Sequence, residues 1–182
     1  MDFVDEIIAM FDEKGEEAYF GEEVSQKAHA LQSAFFAREE GAVDRMVAAA
    51  LLHDIGHLAH DLPEEIADQG VDTLHEELGE RMLSQYFDQD ITEPILLHVD
   101  AKRYLCKVES GYLEHLSDAS RQSLQLQGGA FREEEAKAFE LNPYFKQAVM
   151  LRHWDDEAKV PDLDVPALET YIPLLRAALR KN

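Results

Sequence analysis

A nearly uncharged run, Met46-Val47-Ala48-Ala49-Ala50-Leu51-Leu52, ends on His53-Asp54-Ile55-Gly56-His57. Apolar residues so dense read as a helix buried on most of its circumference. A carboxylate at the end of such a helix is costly to bury unless a cation or several donors pair with it. Adjacent His and Asp at a helix end can aim at one metal ion, and the two oxygens of Asp54 can bridge two. His57 lies one turn after His53 and shares its face. A lone His-Asp dipeptide is weak evidence, because a hydrogen-bonded core histidine is common. Its weight depends on the rest of the chain.

The rest reads as helix. Apolar residues recur at helical spacing, and glycines and prolines stand singly, as stops. The pattern predicts helices over Phe3 to Lys14, Ser25 (as N-cap) to Arg38, Asp44 to His53, Leu74 to Phe87, and Thr92 to about Tyr104 with Pro94 just inside. Further helices are expected near Tyr112–Leu126, Arg132–Glu140, Pro143–Arg152 and Pro166–Leu179. A longer loop is expected around Leu62-Pro63 and Gln69-Gly70. No stretch alternates as a strand, so the fold class is all-α, a helical bundle. At 182 residues the chain suits one domain, 1–182.

Other histidines are spaced to join His53. His29 precedes it by 24 residues, His75 follows it by 22, and His98 follows His75 by 23. Each falls in or beside a predicted helix. Asp155 comes later, after Arg152-His153-Trp154. Helix bundles commonly build dimetal sites from inward-facing His and carboxylate side chains. A thiolate-free set suits iron, manganese or zinc, and ligand type alone does not choose among them. Cys106 is the one cysteine, which excludes an internal disulfide and a Cys-rich metal site. His60, His115 and His153 are left as surface or packing residues.

The order His29, His53-Asp54, Asp155 resembles the HD superfamily, and His75 and His98 match its dinuclear branch. The resemblance implies that His29, His53 and Asp155 bind one metal, that His75 and His98 bind the other, and that Asp54 bridges. Four further stretches make the likeness closer: Tyr19-Phe20-Gly21-Glu22; Ala50 to His57; His98-Val99-Asp100-Ala101-Lys102-Arg103-Tyr104-Leu105; and Leu116-Ser117-Asp118-Ala119-Ser120-Arg121 with Gln127-Gly128-Gly129. With Arg152-His153-Trp154-Asp155, they are similar to the PhnZ-like HD-domain mixed-valent diiron oxygenases over nearly the whole chain. That resemblance implies two iron ions, Fe(II) and Fe(III), with dioxygen as co-substrate. It implies cleavage of the C–P bond of a 1-hydroxy-2-(amino or N-methylated amino)ethylphosphonate, giving phosphate and glycine or glycine betaine. Tyr19 would be a lid over the open iron position, and Glu22 would face the substrate amine. The alternative within the superfamily is a metal-dependent phosphohydrolase of a nucleotide or phosphate monoester. A non-enzymatic sensor module is disfavoured, because such a module is free to lose ligands and all six positions are filled.

Side-chain chemistry fits an anionic substrate. Lys102 lies four residues after His98 and Arg152 three before Asp155, so both share a ligand's helical face. Together with His57 and the Ser120 hydroxyl they would form an anion-binding wall for a phosphonate. Catalytic roles are expected for Tyr19 and His57, and substrate binding for both with Glu22, Lys102, Ser120 and Arg152. A quaternary ammonium would need aromatic faces, for which Tyr19, Phe20, Phe35, Phe36 and Trp154 are available. The net charge of −21, from 38 acidic and 17 basic side chains, argues against nucleic acid and anionic membranes as partners. It leaves room for a small organophosphonate in a locally cationic pocket. The acidic start, Met1-Asp2-Phe3-Val4-Asp5-Glu6, gives no secretory signal, and no apolar run reaches ~18 residues, so the expected location is cytoplasmic.

Overall fold

The computed structural model describes residues 2–19, 21–59 and 72–181. Phe20, His60 and the expected loop around Leu62-Pro63 and Gln69-Gly70 lie outside them. Among the described residues the chain is all-α, with eleven α-helices and no sheet. None of these helices is long and apolar enough to cross a membrane.

Helix α1 (Phe3–Lys14) opens on a capping box between Asp2 and Asp5. Helix α2 (Gln26–Glu39) is capped by Ser25, whose hydroxyl accepts from the Ala28 amide at 3.2 Å. Helix α3 (Asp44–Leu52) is the uncharged run, and Met46 to Leu52 are all buried. Packing on every side explains its composition. Helix α2 lies along one flank and α6 (Gln89–Val108) along another, while α10 (Phe145–Glu157) runs beside both α2 and α6. The main core joins Ile7 and Phe11 of α1, Ala30 and Ala34 of α2, Leu51 and Leu52, Ile91 and Ile95 of α6, and Leu151 and Trp154 of α10.

Several boundaries differ from the sequence expectation; the helix expected over Leu74 to Phe87 stops at Leu83, and the one expected to end near Tyr104 runs to Val108. Helix α6 begins at Gln89, not Thr92, so Pro94 sits inside it. Burial of Ile91, Thr92, Pro94 and Ile95 in the core offsets the one backbone hydrogen bond that proline cannot donate. The expected helix over Tyr112–Leu126 is two, α7 (Tyr112–His115) and α8 (Asp118–Leu126). Leu116 is extended between them, and the Ser117 hydroxyl caps α8 by accepting from the Ser120 amide at 3.1 Å. Helix α10 runs on to Glu157, past the expected end at Arg152, which places Asp155 and Asp156 on it. The last expected helix is a 3-10 turn, Leu168–Thr170, then α11 (Ile172–Ala178), broken at the buried Tyr171.

Between α3 and α5 (His75–Leu83) stands the short α4 (Ile55–Leu58). Gly56 is required there. A Cβ on it would lie 2.0 Å from the carbonyl oxygen of His75. Helix α9 (Glu133–Glu140) packs on α6 through a smaller cluster of Ala101, Phe131, Ala136, Phe139 and Ala148.

Candidate metal centre

Four helices and one helix end converge on a buried polar centre. Helix α2 supplies His29, the end of α3 supplies His53 and Asp54, α5 supplies His75, α6 supplies His98, and α10 supplies Asp155. The six are between 0% and 7% exposed. Their atoms form two groups. His29 Nε2 and His53 Nε2 lie 3.1 Å apart, and His75 Nε2 and His98 Nε2 lie 3.1 Å apart. Asp54 stands between the groups. Its Oδ2 is 3.5 Å from His29 and 3.4 Å from His53, while its Oδ1 is 3.3 Å from His75 and 3.4 Å from His98. Asp155 joins the first group, with Oδ1 3.4 Å from His29 and Oδ2 3.7 Å from His53.

The outer nitrogens of the rings decide what the inner ones are. His29 Nδ1 is 2.8 Å from the carbonyl of Ala158, His53 Nδ1 is 2.8 Å from that of Ala50, and His98 Nδ1 is 2.6 Å from that of Ile95. A carbonyl only accepts, so each Nδ1 carries the proton. The inner Nε2 is then the atom left to take up a proton or a metal ion. Two Nε2 atoms 3.1 Å apart need one or the other between them. Among the described residues, Asp54 Oδ1 and Asp155 Oδ1 are also buried without a hydrogen bond. Imidazole and carboxylate donors in two groups sharing one carboxylate therefore fit two transition-metal ions.

Charge follows the same logic. Burial opposes ionisation of Asp54, but His53, His75 and His98 outweigh it and hold the carboxyl well below its ordinary value. Burial likewise opposes charge on Asp155, and Arg152 outweighs it. In turn, Asp54 and Asp155 overcome the burial of His53 and raise its pKa to about 9. The centre is a buried anionic nest that calls for positive charge.

Of the other expected residues, Tyr19, His57 and Arg152 touch the ligands. The Tyr19 hydroxyl donates to Asp54 Oδ2 at 2.7 Å, and its ring stacks on His29 with centroids 3.9 Å apart. Burial and the nearby carboxylates push its phenol far above its ordinary pKa, so it stays a neutral donor. His57 stacks on His75 at 4.0 Å. Lys102 is 3% exposed and donates to the Ser123 hydroxyl at 2.9 Å. Burial, and next Arg152, lower its pKa to about 7. The Ser120 hydroxyl accepts from Lys159 at 2.9 Å.

Arg152 and Glu22 are more engaged than the sequence suggested. Arg152 directs Nη1 to Asp155 Oδ2 at 2.7 Å, and turns Nε and Nη2 onto Asp156. The fork expected for substrate is thus taken up by carboxylates, with Tyr112 beside it. Glu22 accepts from the Ser117 hydroxyl and lies 3.7 Å from Lys159. Trp154 is fully buried in the core, and its indole donates to Glu40, just past the end of α2 remote from His29. His115 and His153 lie outside the centre; His115 is exposed and His153 is half-buried against Tyr112.

Lys159, Ser123, Ser117, Asp156 and Glu76 were missed in the sequence. Ser123 and Asp156 were within reach of helical spacing, three residues after Ser120 and four after Arg152. Lys159 follows the end of α10, and spacing gave no warning of it.

Comparison with known proteins bears on this centre. The HD domain family model matches residues 16–138. A hydroxymethylphosphonate dioxygenase of Gimesia maris is 45% identical over 159 residues, covering 85% of this chain and 78% of the relative. A [1-hydroxy-2-(trimethylamino)ethyl]phosphonate dioxygenase (glycine-betaine-forming) of Leisingera caerulea is 38% identical over 179 residues, covering 98% and 91%. An uncharacterized protein, L432, of Acanthamoeba polyphaga mimivirus is 35% identical over 174 residues, covering 94% and 80%.

Proposed function

The chain belongs to the HD-domain family, and from that premise we propose that it is a diiron dioxygenase that cleaves the C–P bond of a 1-hydroxyphosphonate. The observation that carries the reading is the pairing of Nε2 atoms across Asp54. A single carboxylate with one oxygen toward each histidine pair suits two ions better than one. In this reading His29, His53 and Asp155 would hold one iron and His75 and His98 the other, with Asp54 shared between the two groups. When bound, a mixed-valent Fe(II)/Fe(III) pair would supply activation of dioxygen. The whole chain, 1–182, acts as one HD domain.

The protein's own groups bind and orient. Lys102, Ser123 and Ser120 offer donors to a phosphonate beside the centre, and His57 closes that side. Burial of Lys102 and Ser120 keeps water out on that side. Tyr19 remains protonated and hydrogen-bonded to the bridge until substrate displaces it. Arg152 holds Asp155 in place and adds positive charge behind the phosphonate site. One RCH(OH)PO₃²⁻ and one O₂ balance as one carboxylate, one HPO₄²⁻ and one proton.

Substrates bearing a 2-amino or N-methylated amino group, yielding glycine or glycine betaine, are one class. The glycine-betaine-forming relative supports it, with Glu22 as the acid that meets the nitrogen. Hydroxymethylphosphonate, yielding formate, is a second reading. The engagement of Glu22 by Ser117 and Lys159 favours it, as does the relative from Gimesia maris.

Metal analysis with spectroscopy separates the oxygenase from an HD phosphohydrolase. Tightly held iron, with a mixed-valent signal after partial reduction, is expected. Phosphatase turnover that depends on Mg or Mn, without iron, would overturn the proposal.

A further inference from the structure

We propose that Glu76 is the positioning residue for His75, and through it for the ion held by His75, His98 and Asp54; the proposal rests on the dimetal reading above. His53 and His98 anchor their outer nitrogens on the carbonyl three residues back in their own helices, Ala50 and Ile95. His29 uses the carbonyl of Ala158. His75 has no such recourse. It is the first residue of α5, and the chain before it is not helical, with Leu74 in the left-handed region at φ 48°. Its Nδ1 instead faces a side chain, Glu76 Oε2, at 3.4 Å.

Glu76 is itself unusual. It is 8% exposed, and its Oε2 is buried without a hydrogen bond among the described residues. A buried carboxylate is costly unless a donor or cation compensates it. Its place in the first turn of α5 gives it part of that compensation from the helix dipole. The His75 ring N–H supplies the rest once a metal ion occupies the other nitrogen. A carboxylate behind a ligand histidine fixes its tautomer and orientation and raises its basicity. The remaining freedoms of His75 are already restricted. His57 stacks on its ring, and Gly56 abuts its carbonyl. Glu76 closes the last edge, and among the described residues it is the one carboxylate aimed at an outer nitrogen of the four histidines.

The test uses the full chain, loaded anaerobically with Fe(II), and measures iron affinity by chelator competition. Glu76→Ala should weaken one of the two irons by about 10–100-fold and leave the other unchanged. Glu76→Gln keeps a neutral acceptor, so its loss should be smaller. The exposed neighbour serves as control, and Glu77→Gln should retain both irons. The melting temperature of each metal-free variant reports folding, which separates a positioning role from a merely structural one. A folded Glu76→Ala variant that holds both irons with unaltered affinity would overturn the proposal. A wild-type chain that binds only one iron would remove the dimetal reading and this proposal together.

Discussion

The hydroxyl of Tyr19 donates to the oxygen of Asp54 that faces His29 and His53, while its ring lies flat on His29. A neutral phenol thus covers the His29 side of the centre, tied to the carboxylate proposed as the bridge. Tyr19→Phe retains the stacking and loses the tie. The variant should keep both irons and consume dioxygen faster than wild type when no phosphonate is present. An oxygen electrode reads this directly, and an unchanged background rate would dismiss the lid role.

Lys102 is expected to set a pH response. Its pKa of about 7 is far below that of an exposed lysine, because burial and Arg152 disfavour its charge. Below that value it is cationic and suited to a phosphonate. Above it, the free protein must take up a proton to bind the anion. The apparent kcat/KM should therefore fall as pH rises through about 7, and Lys102→Met should lose this limb while raising KM.

Linkage gives Lys102 an opposite effect on stability. Between pH 7 and the ordinary lysine value the unfolded chain binds the extra proton, so this residue lowers stability most at low pH and less as pH rises through that window. Lys102→Met should therefore melt higher at pH 7, by about 2–4 °C for each kcal/mol recovered. A calorimetric scan of both proteins at pH 7 and pH 10 checks the sign: the gain should shrink at the higher pH.

Gly56 is the contact on which the second pair of histidines depends. A methyl group at 2.0 Å from the His75 carbonyl oxygen forces α4 and α5 apart. Gly56→Ala should cost about 1–3 kcal/mol of stability, as overpacking does. It should also release the iron nearest His75 before the one nearest His29. Denaturant titration and iron counting together test this, and full retention of both irons would refute it.

Much of the centre was legible in the sequence because helices convert spacing into facing. Arg152 precedes Asp155 by three, and the structure pairs them; Lys102, four residues after His98, is buried on the same helix and donates to Ser123. The run before His53 announced its burial through composition alone. What could not be read was competition among side chains. Arg152 meets Asp156 as well as Asp155, and Glu22 meets Ser117 and Lys159, because elements distant in sequence fold onto them. Helix limits failed where packing overrode local preference, as at Pro94, or where a cap intervened, as at Ser117.

Replacement of His98 by alanine isolates the dimetal claim from the chemistry. The variant should fold and bind one iron where the wild type binds two, and its phosphonate turnover should be lost. Two irons with undiminished turnover would contradict the ligand assignment.

The central claim is decided by oxygen uptake measured alongside phosphate release. Iron-loaded protein is offered hydroxymethylphosphonate, 1-hydroxy-2-aminoethylphosphonate and its N-trimethylated analogue. The account predicts that at least one supports turnover, with one phosphate released for each dioxygen consumed. Phosphate release without oxygen uptake, or no turnover of any of the three, would contradict it.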